Sequence, residues 1–146
     1  LHLRFLGEGG RIGSFAYRDP LGRGLTDNGW EVVPEAFLPL LRECASIGKP
    51  LLVTENGLAD GADAKRAAFL EAHVAVLEEA EREGLGVHGY LHWSLVHNYE
   101  WLDGWAPRFG LLELDRETLE RRPRPSAETF RRLAAQYLAG RAGPLI

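Results

Sequence analysis

Two short stretches concentrate the side chains that could do chemistry: Leu51-Leu-Val-Thr-Glu-Asn-Gly57 and Trp93-Ser-Leu-Val-His-Asn-Tyr-Glu-Trp101. The first is an apolar run that ends in Glu55, and a carboxylate at the end of a buried strand is a candidate nucleophile. The second sets two Trp, one Glu, one Asn and one His within nine residues, directly after another apolar run. Indole faces give a sugar ring a surface to stack on, and carboxylate and amide oxygens accept hydrogen bonds from its hydroxyls. Together the two stretches point to carbohydrate chemistry. Glycoside hydrolysis normally takes two carboxyl groups facing each other, and the sequence offers Glu55 no convincing partner.

The elements that must position these residues follow from periodicity. Phe37, Leu40, Leu41 and Cys44 fall on one helical stripe, with Pro34 suited to its first turn and Gly48 to its C-terminal cap. Leu51–Thr54 lacks alternation and reads as a short strand buried on both faces. Asp60 and Asp63 can cap a second helix, whose stripe is Ala67, Leu70, Val74 and Leu77 and which Gly84 ends. Val87–Trp93 reads as a second strand, 94–107 as a long loop, and Phe109–Leu114 as a short extra strand. Pro125-Ser126 opens a last helix with the stripe Phe130, Leu133, Ala134, Tyr137 and Leu138, stopped by Gly140. Helix, strand, helix, strand, helix implies parallel strands with helical crossovers. Two parallel strands buried on both faces need neighbours, so the pattern reads as the tail of a larger α/β fold, with a (β/α)8 barrel as the natural candidate.

Composition removes other classes. A net charge of −4 argues against a nucleic-acid footprint, which needs a basic surface. Cys44 is the only cysteine, which rules out an intrachain disulfide framework and a cysteine-based metal site, and fits a cytoplasmic location. No apolar run approaches the ~18 residues of a membrane span. Residues 1–33 hold seven Gly and one Pro with little periodicity and read as irregular. The opening Leu1-His-Leu-Arg has neither an initiator Met nor a signal-peptide layout, which suggests a chain cut, processed or read from an incomplete gene.

Five motifs in order carry a resemblance. They are Thr26-Asp-Asn-Gly-Trp30-Glu with Pro34-Glu35; Thr54-Glu-Asn-Gly57; Gly89-Tyr-Leu-His-Trp93-Ser-Leu with Asn98-Tyr-Glu-Trp101; Arg108-Phe-Gly-Leu-Leu-Glu-Leu-Asp115; and Arg122-Pro-Arg-Pro-Ser126. A lone Glu-Asn-Gly is weak evidence, but the ordered set over residues 25–138 resembles the C-terminal part of glycoside hydrolase family 1, in its archaeal-type β-glycosidase branch. On this reading 1–24 is a lead-in, and the chain is the last quarter to third of a (β/α)8 barrel, with Leu51–Thr54 as its seventh strand and Val87–Trp93 as its eighth. The resemblance implies a retaining β-glucosidase or β-galactosidase with neither metal nor cofactor, acting on terminal β-linked sugars.

Residue by residue, Glu55 matches the nucleophile and Trp93 the aromatic floor under the sugar. Glu100 matches the carboxylate that binds two sugar hydroxyls, Trp101 an indole that donates to another, and Phe109 a pocket-wall aromatic. Two departures stand out. His97 occupies a position where the family usually has Asp, and no Asn-Glu-Pro, the family's acid/base motif on the fourth strand, occurs here. The chain therefore carries a nucleophile and half a sugar site, and by itself is expected to be inactive.

Plainer readings apply elsewhere. Glu55 could be a turn residue before Asn-Gly; His73 reads as a packed or surface histidine; and His88 and His92 share a strand face without a third metal ligand. Trp30 reads as loop packing, as do Tyr99 and Trp105, and Arg121–Arg124 reads as a solvated turn. Two alternatives to a piece of an enzyme are a sugar-binding or scaffold protein that self-associates over its open strands, and one half of a split enzyme completed by a separate N-terminal part of the barrel.

Overall fold

The computed structural model describes residue 22 and residues 24–140. The lead-in expected over 1–24 therefore lies almost wholly outside the described residues. A 3-10 turn at Pro34–Ala36 runs directly into α1 (Phe37–Ala45), as a proline in the first turn favours. β1 (Leu51–Asn56), α2 (Arg66–Arg82) and β2 (Val87–His92) form a strand–helix–strand crossover. β3 (Leu112–Leu114) and β4 (Arg121–Pro123) make a small hairpin, and α3 (Pro125–Gly140) ends the described chain. β1 and β2 pair in parallel, β3 and β4 antiparallel. The alternation read from the sequence is thus present, and among the described residues the strands do not close into a barrel.

The main core sits on one face of the β1–β2 pair. Leu41 of α1, Leu77 and Ala80 of α2 and Val87 of β2 are buried together, with Phe37, Leu38, Leu51, Val53 and Tyr90 packed around them. Leu38 thus replaces Leu40, which is exposed, on the α1 stripe. On α2 the buried face is Phe69, Leu70, His73, Leu77 and Ala80, whereas Ala67 and Val74 are only half-buried. The buried face is turned from the expected stripe and begins at Arg66, the first residue of the helix.

Two further expectations are corrected. β1 is not buried on both faces: Leu52 is 56% exposed, and Leu91 on β2 is 53% exposed. A two-stranded sheet has no neighbours to cover these side chains. Together with Val74 and with Phe130, Leu133 and Leu138 of α3 they line an open apolar groove. Arg121–Arg124 is not simply a solvated turn either. Arg121–Pro123 pairs with β3 as β4, and Arg124 turns inward to donate to the Gly61 carbonyl at 2.5 Å. The link between β3 and β4 is tied by Asp115, whose Oδ1 accepts the backbone N–H groups of Glu117 and Thr118 at 2.9 Å each.

One buried polar node joins the pieces. Arg66 is fully buried and ion-paired with Asp63, and its Nη2 donates to the carbonyls of Asp60 at 2.9 Å and Arg108 at 2.6 Å. Lys65 occupies the N-cap position of α2, and Asp60 reaches the helix start from five residues earlier, its Oδ2 accepting from the N–H of Lys65 at 2.7 Å and of Arg66 at 3.1 Å. Asp63 caps a different helix. It accepts from the N–H and hydroxyl of Ser126 at 2.8 and 2.7 Å, at the first turn of α3. Burial lowers the Arg66 pKa from its ordinary value, and Asp63 opposes that shift. No helix among the described residues is long and apolar enough to cross a membrane.

Removing one member of a buried ion pair strands its partner's charge and costs about 3–5 kcal/mol. Arg66→Met is therefore expected to lower the unfolding free energy by about that amount, a large part of a typical ~5–15 kcal/mol total. Urea titration followed by circular dichroism measures it. A loss under about 1 kcal/mol would show that the node is not what holds the layers together.

Candidate functional site

Because β1 and β2 are parallel, their C-terminal ends lie side by side. Asn56 pairs with His92 in the register, and its carbonyl accepts the Trp93 N–H at 2.9 Å. Glu55, one residue earlier, is thereby set beside the start of the loop that leaves β2. A register shift between Val53 and Asn56 breaks the in–out alternation, and Thr54 and Glu55 are both exposed. The side chain of Asn56 is fixed from β2, where the Tyr90 hydroxyl donates to its Oδ1 at 2.9 Å. Burial raises the Tyr90 pKa far above the ordinary phenol value, so the hydroxyl keeps its proton and remains a donor.

Gly57 explains why the strand ends can meet. A Cβ built there would lie 1.6 Å from the Trp93 carbonyl oxygen. Only a residue without a side chain lets the backbones approach this closely. The peptide bond that follows, Trp93–Ser94, is cis.

The loop after β2 is closed by its own backbone. The Leu111 N–H donates to the Ser94 carbonyl at 2.9 Å, and the His97 N–H to the Leu112 carbonyl at 3.0 Å. The Ser94 hydroxyl donates to the Val96 carbonyl at 2.9 Å and lies 3.1 Å from the Asn98 Oδ1. Gly110 lies against this turn, where a Cβ would come within 2.2 Å of the His97 nitrogen. Further along, the Glu100 N–H donates to the Gly104 carbonyl at 2.7 Å and closes a 3-10 turn at Trp101–Asp103.

The side chains singled out in the sequence fall into two sets. Trp93 and Glu100 meet: the indole Nε1–H donates to the Glu100 Oε1 at 3.2 Å, and both residues are half-buried. Trp101 stands 84% exposed at the tip of the turn, with Leu102 beside it at 94%. Phe109 is buried, its ring 6.0 Å from that of Trp30, and its carbonyl lies 3.4 Å from the Ser94 nitrogen that bonds to it. Phe109 thus anchors the loop from behind, while Glu55, Trp93, Glu100 and Trp101 remain reachable from solvent.

His73, His92 and His97 pack against aromatic rings. His73 is buried, stacked on Phe69 at 3.9 Å, with its Nδ1 2.8 Å from the Phe69 carbonyl oxygen. His92 lies 6.0 Å from the Phe130 ring, and burial, with nearby Arg66, pushes its pKa down to about 4. Burial also lowers His73 and His97. No cluster of three potential metal ligands occurs among the described residues. Four supports of the site had no role assigned from the sequence: Asn56, Tyr90, Arg66 and Gly110. The Glu-Asn-Gly triplet did flag Gly57, but as a turn residue rather than as a point of close approach.

Comparison with known proteins gives a consistent result. Residues 18–137 match the family model described as Glycosyl hydrolase family 1. The chain is 46% identical over 109 residues to a beta-galactosidase of Sulfolobus acidocaldarius, covering 74% of this chain and 22% of that protein. It is 43% identical over 114 residues to a beta-galactosidase of Saccharolobus solfataricus, covering 77% and 23%. Among solved structures, it resembles the beta-glycosidase of Thermosphaera aggregans with a TM-score of 0.77 and 47% identity, covering 80% of this chain and 24% of that one. The beta-glucosidase of Pyrococcus furiosus gives a TM-score of 0.79 at 43% identity, covering 86% and 27%. The chain therefore spans about a quarter of the length of these relatives.

Two outcomes follow. Gly57→Ala must push apart two backbones that touch, and we expect it to destabilise the protein by about 2–4 kcal/mol, read as a lower urea midpoint. An unchanged midpoint would contradict the close approach. The lowered histidines give the pH dependence a sign. The unfolded chain binds their protons near pH 6.5 and the folded chain only at lower pH, so their share of stability is intact above about 6.5. It is lost as pH falls through the folded values, down to about 4 for His92. Thermal melts between pH 7.5 and 4 should show a falling melting temperature, and His92→Phe should flatten the slope.

Proposed function

The chain belongs to glycosyl hydrolase family 1, and from that premise we propose that it is the C-terminal, nucleophile-bearing part of a retaining β-glycosidase. On this reading β1 and β2 are the seventh and eighth strands of a (β/α)8 barrel. The site then lies at the C-terminal ends of the strands, where barrel enzymes carry their chemistry. The observation that carries the proposal is the Trp93–Glu100 hydrogen bond on the loop that leaves β2, where Trp93 is bonded through its backbone to Asn56, the neighbour of the exposed Glu55. It holds an indole plane against a carboxyl group at the end of the strand pair that carries Glu55.

In the proposed reaction a terminal β-glucoside or β-galactoside rests on Trp93. Glu100 accepts hydrogen bonds from two of its hydroxyls, and Trp101 donates to another. Glu55 attacks the anomeric carbon as the bond to the leaving group breaks, giving a covalent glycosyl ester. A carboxylic acid on the absent part of the barrel protonates the leaving oxygen, then, as a base, takes a proton from the water that cleaves the ester. Two such carboxyl groups sit ~5–5.5 Å apart in retaining enzymes. A charged acceptor such as Glu100 favours a sugar with hydroxyls in the right places, because a sugar lacking them leaves it unpaired. No step calls for a metal or a cofactor.

The rest of the barrel is the proposed partner of the open strand edges and of the apolar groove beside α3, and an aqueous cytoplasmic setting suits a free Cys44. A scaffold role with self-association is the competing reading. It predicts a defined oligomer that binds sugars without cleaving them.

Activity assays on the protein at its natural length test the proposal. Glu55→Gln should lower kcat by a factor on the order of 10⁴ or more, as loss of a covalent nucleophile does. Glu100→Gln should lower kcat/KM by roughly 10–150-fold, the loss of charged hydrogen bonds worth about 1.5–3 kcal/mol. The chain of 146 residues alone should show no efficient turnover. Robust hydrolysis by it would overturn the assignment of the acid to the missing part.

A further inference from the structure

The loop between β2 and β3 buries one titratable ring that the proposed chemistry leaves unused. His97 is 7% exposed, and its Nδ1 is buried without a hydrogen-bond partner. Its ring lies 5.7 Å from that of Trp105, and the imidazole also bonds to the Trp105 backbone. Trp105 meets Tyr99 edge-on at 5.6 Å and carries the Arg116 guanidinium 5.2 Å from its ring centre. The other charged groups around His97 are Arg108, Glu113 and Arg124. Glu113 pairs with Arg108 at 2.7 Å and with Arg124 at 3.8 Å. Two cations thus share one carboxylate, and the His97 Nδ1 makes no hydrogen bond to it or to any other group.

A short, continuous path leads from this ring to the sugar-facing carboxylate. Trp105 follows Gly104 in the chain, and the Gly104 carbonyl accepts the Glu100 N–H at 2.7 Å. The Glu100 side chain in turn accepts the Trp93 indole N–H at 3.2 Å. The backbone closure thus joins Trp105 to the pair through two hydrogen bonds.

We propose that His97 is a positioning residue for Glu100: its uncharged imidazole holds Trp105 and the Gly104–Glu100 closure in place, and a proton on Nδ1 releases them. The neutral ring leaves only a weak acceptor unpaired. The protonated ring would bury a charged donor that makes no hydrogen bond, near Arg108 and Arg124, with only the ion-paired Glu113 to oppose them. Burial, then Arg108, hold the imidazole below its ordinary pKa, so release occurs on the acid side of neutrality. The functional meaning rests on the reading of Glu100 as a sugar ligand, but the test contains no sugar and stands apart from that reading.

The test is a pH titration of the ¹⁵N-labelled protein at its natural length, following the Trp93 indole N–H. The signal is assigned with Trp93→Phe. His97→Gln keeps a donor able to reach the Trp105 backbone but removes the titration. In the unsubstituted protein the Trp93 signal should shift on acidification with a midpoint below 6.5, the ordinary histidine value. In His97→Gln that shift should be lost. A transition that survives unchanged in His97→Gln belongs to Glu100 or another group and overturns the proposal. Should His97→Gln fail to fold, the imidazole nitrogens of His97 in the unsubstituted protein decide instead. Their midpoint must coincide with that of the Trp93 shift, and differing midpoints overturn the proposal.

Discussion

Everything else in this structure hangs on the buried Arg66. A guanidinium keeps its charge in any accessible environment, so burying it obliges the surrounding chain to supply acceptors. The acceptors come from two places far apart in sequence, Asp60 and Asp63 before α2 and the Arg108 carbonyl before β3, and Asp63 in turn accepts from Ser126 at the start of α3. One side chain therefore fixes the start of the crossover helix, the exit of the site loop and the entry of the last helix. Such a node adds little net stability compared with a well-packed apolar cluster. It ties three segments to one point, since only this arrangement of them gives the buried charge its partners.

The site follows from that frame and from one sterically enforced approach. Parallel pairing brings the ends of β1 and β2 together, and Gly57 lets the chain after Glu55 pass against the Trp93 carbonyl. The loop beyond then folds back on backbone hydrogen bonds to Leu111, Leu112 and Gly104, which carry Glu100 to the Trp93 indole. Family membership gives this pair its context. The open groove beside α3 and the exposed Leu52 and Leu91 suit a chain that spans only about a quarter of its relatives' length.

What could be read from the sequence was whatever is local. Pro34, Gly48 and Gly84 mark helix ends by their own backbone preferences, and the strand–helix–strand order follows from short apolar runs between helical stripes. The exposed face of β1 was misread because an unbroken apolar run signals burial in the complete sheet, not in two strands of it. The turn of α2 was misread because Arg66 counts as polar in any periodicity, yet it is the most buried long side chain on the helix. β4 was missed because Arg-Arg-Pro has no strand pattern, and its partner β3 supplies the order. The bond from Asp63 to Ser126 joins residues 63 apart, and no local pattern announces it. The ordered motifs singled out Glu55, Trp93, Glu100 and Trp101 as candidates, and the structure brings two of them, Trp93 and Glu100, into direct contact.

The most direct measurement is to trap the covalent intermediate. The protein at its natural length is incubated with a 2-deoxy-2-fluoro β-glycoside bearing a good leaving group, which forms the glycosyl ester faster than water removes it, and is then digested for peptide mass spectrometry. The account predicts one added fluorosugar, carried by Glu55. A label on another carboxylate, or steady hydrolysis of ordinary substrates with no label at all, would contradict it.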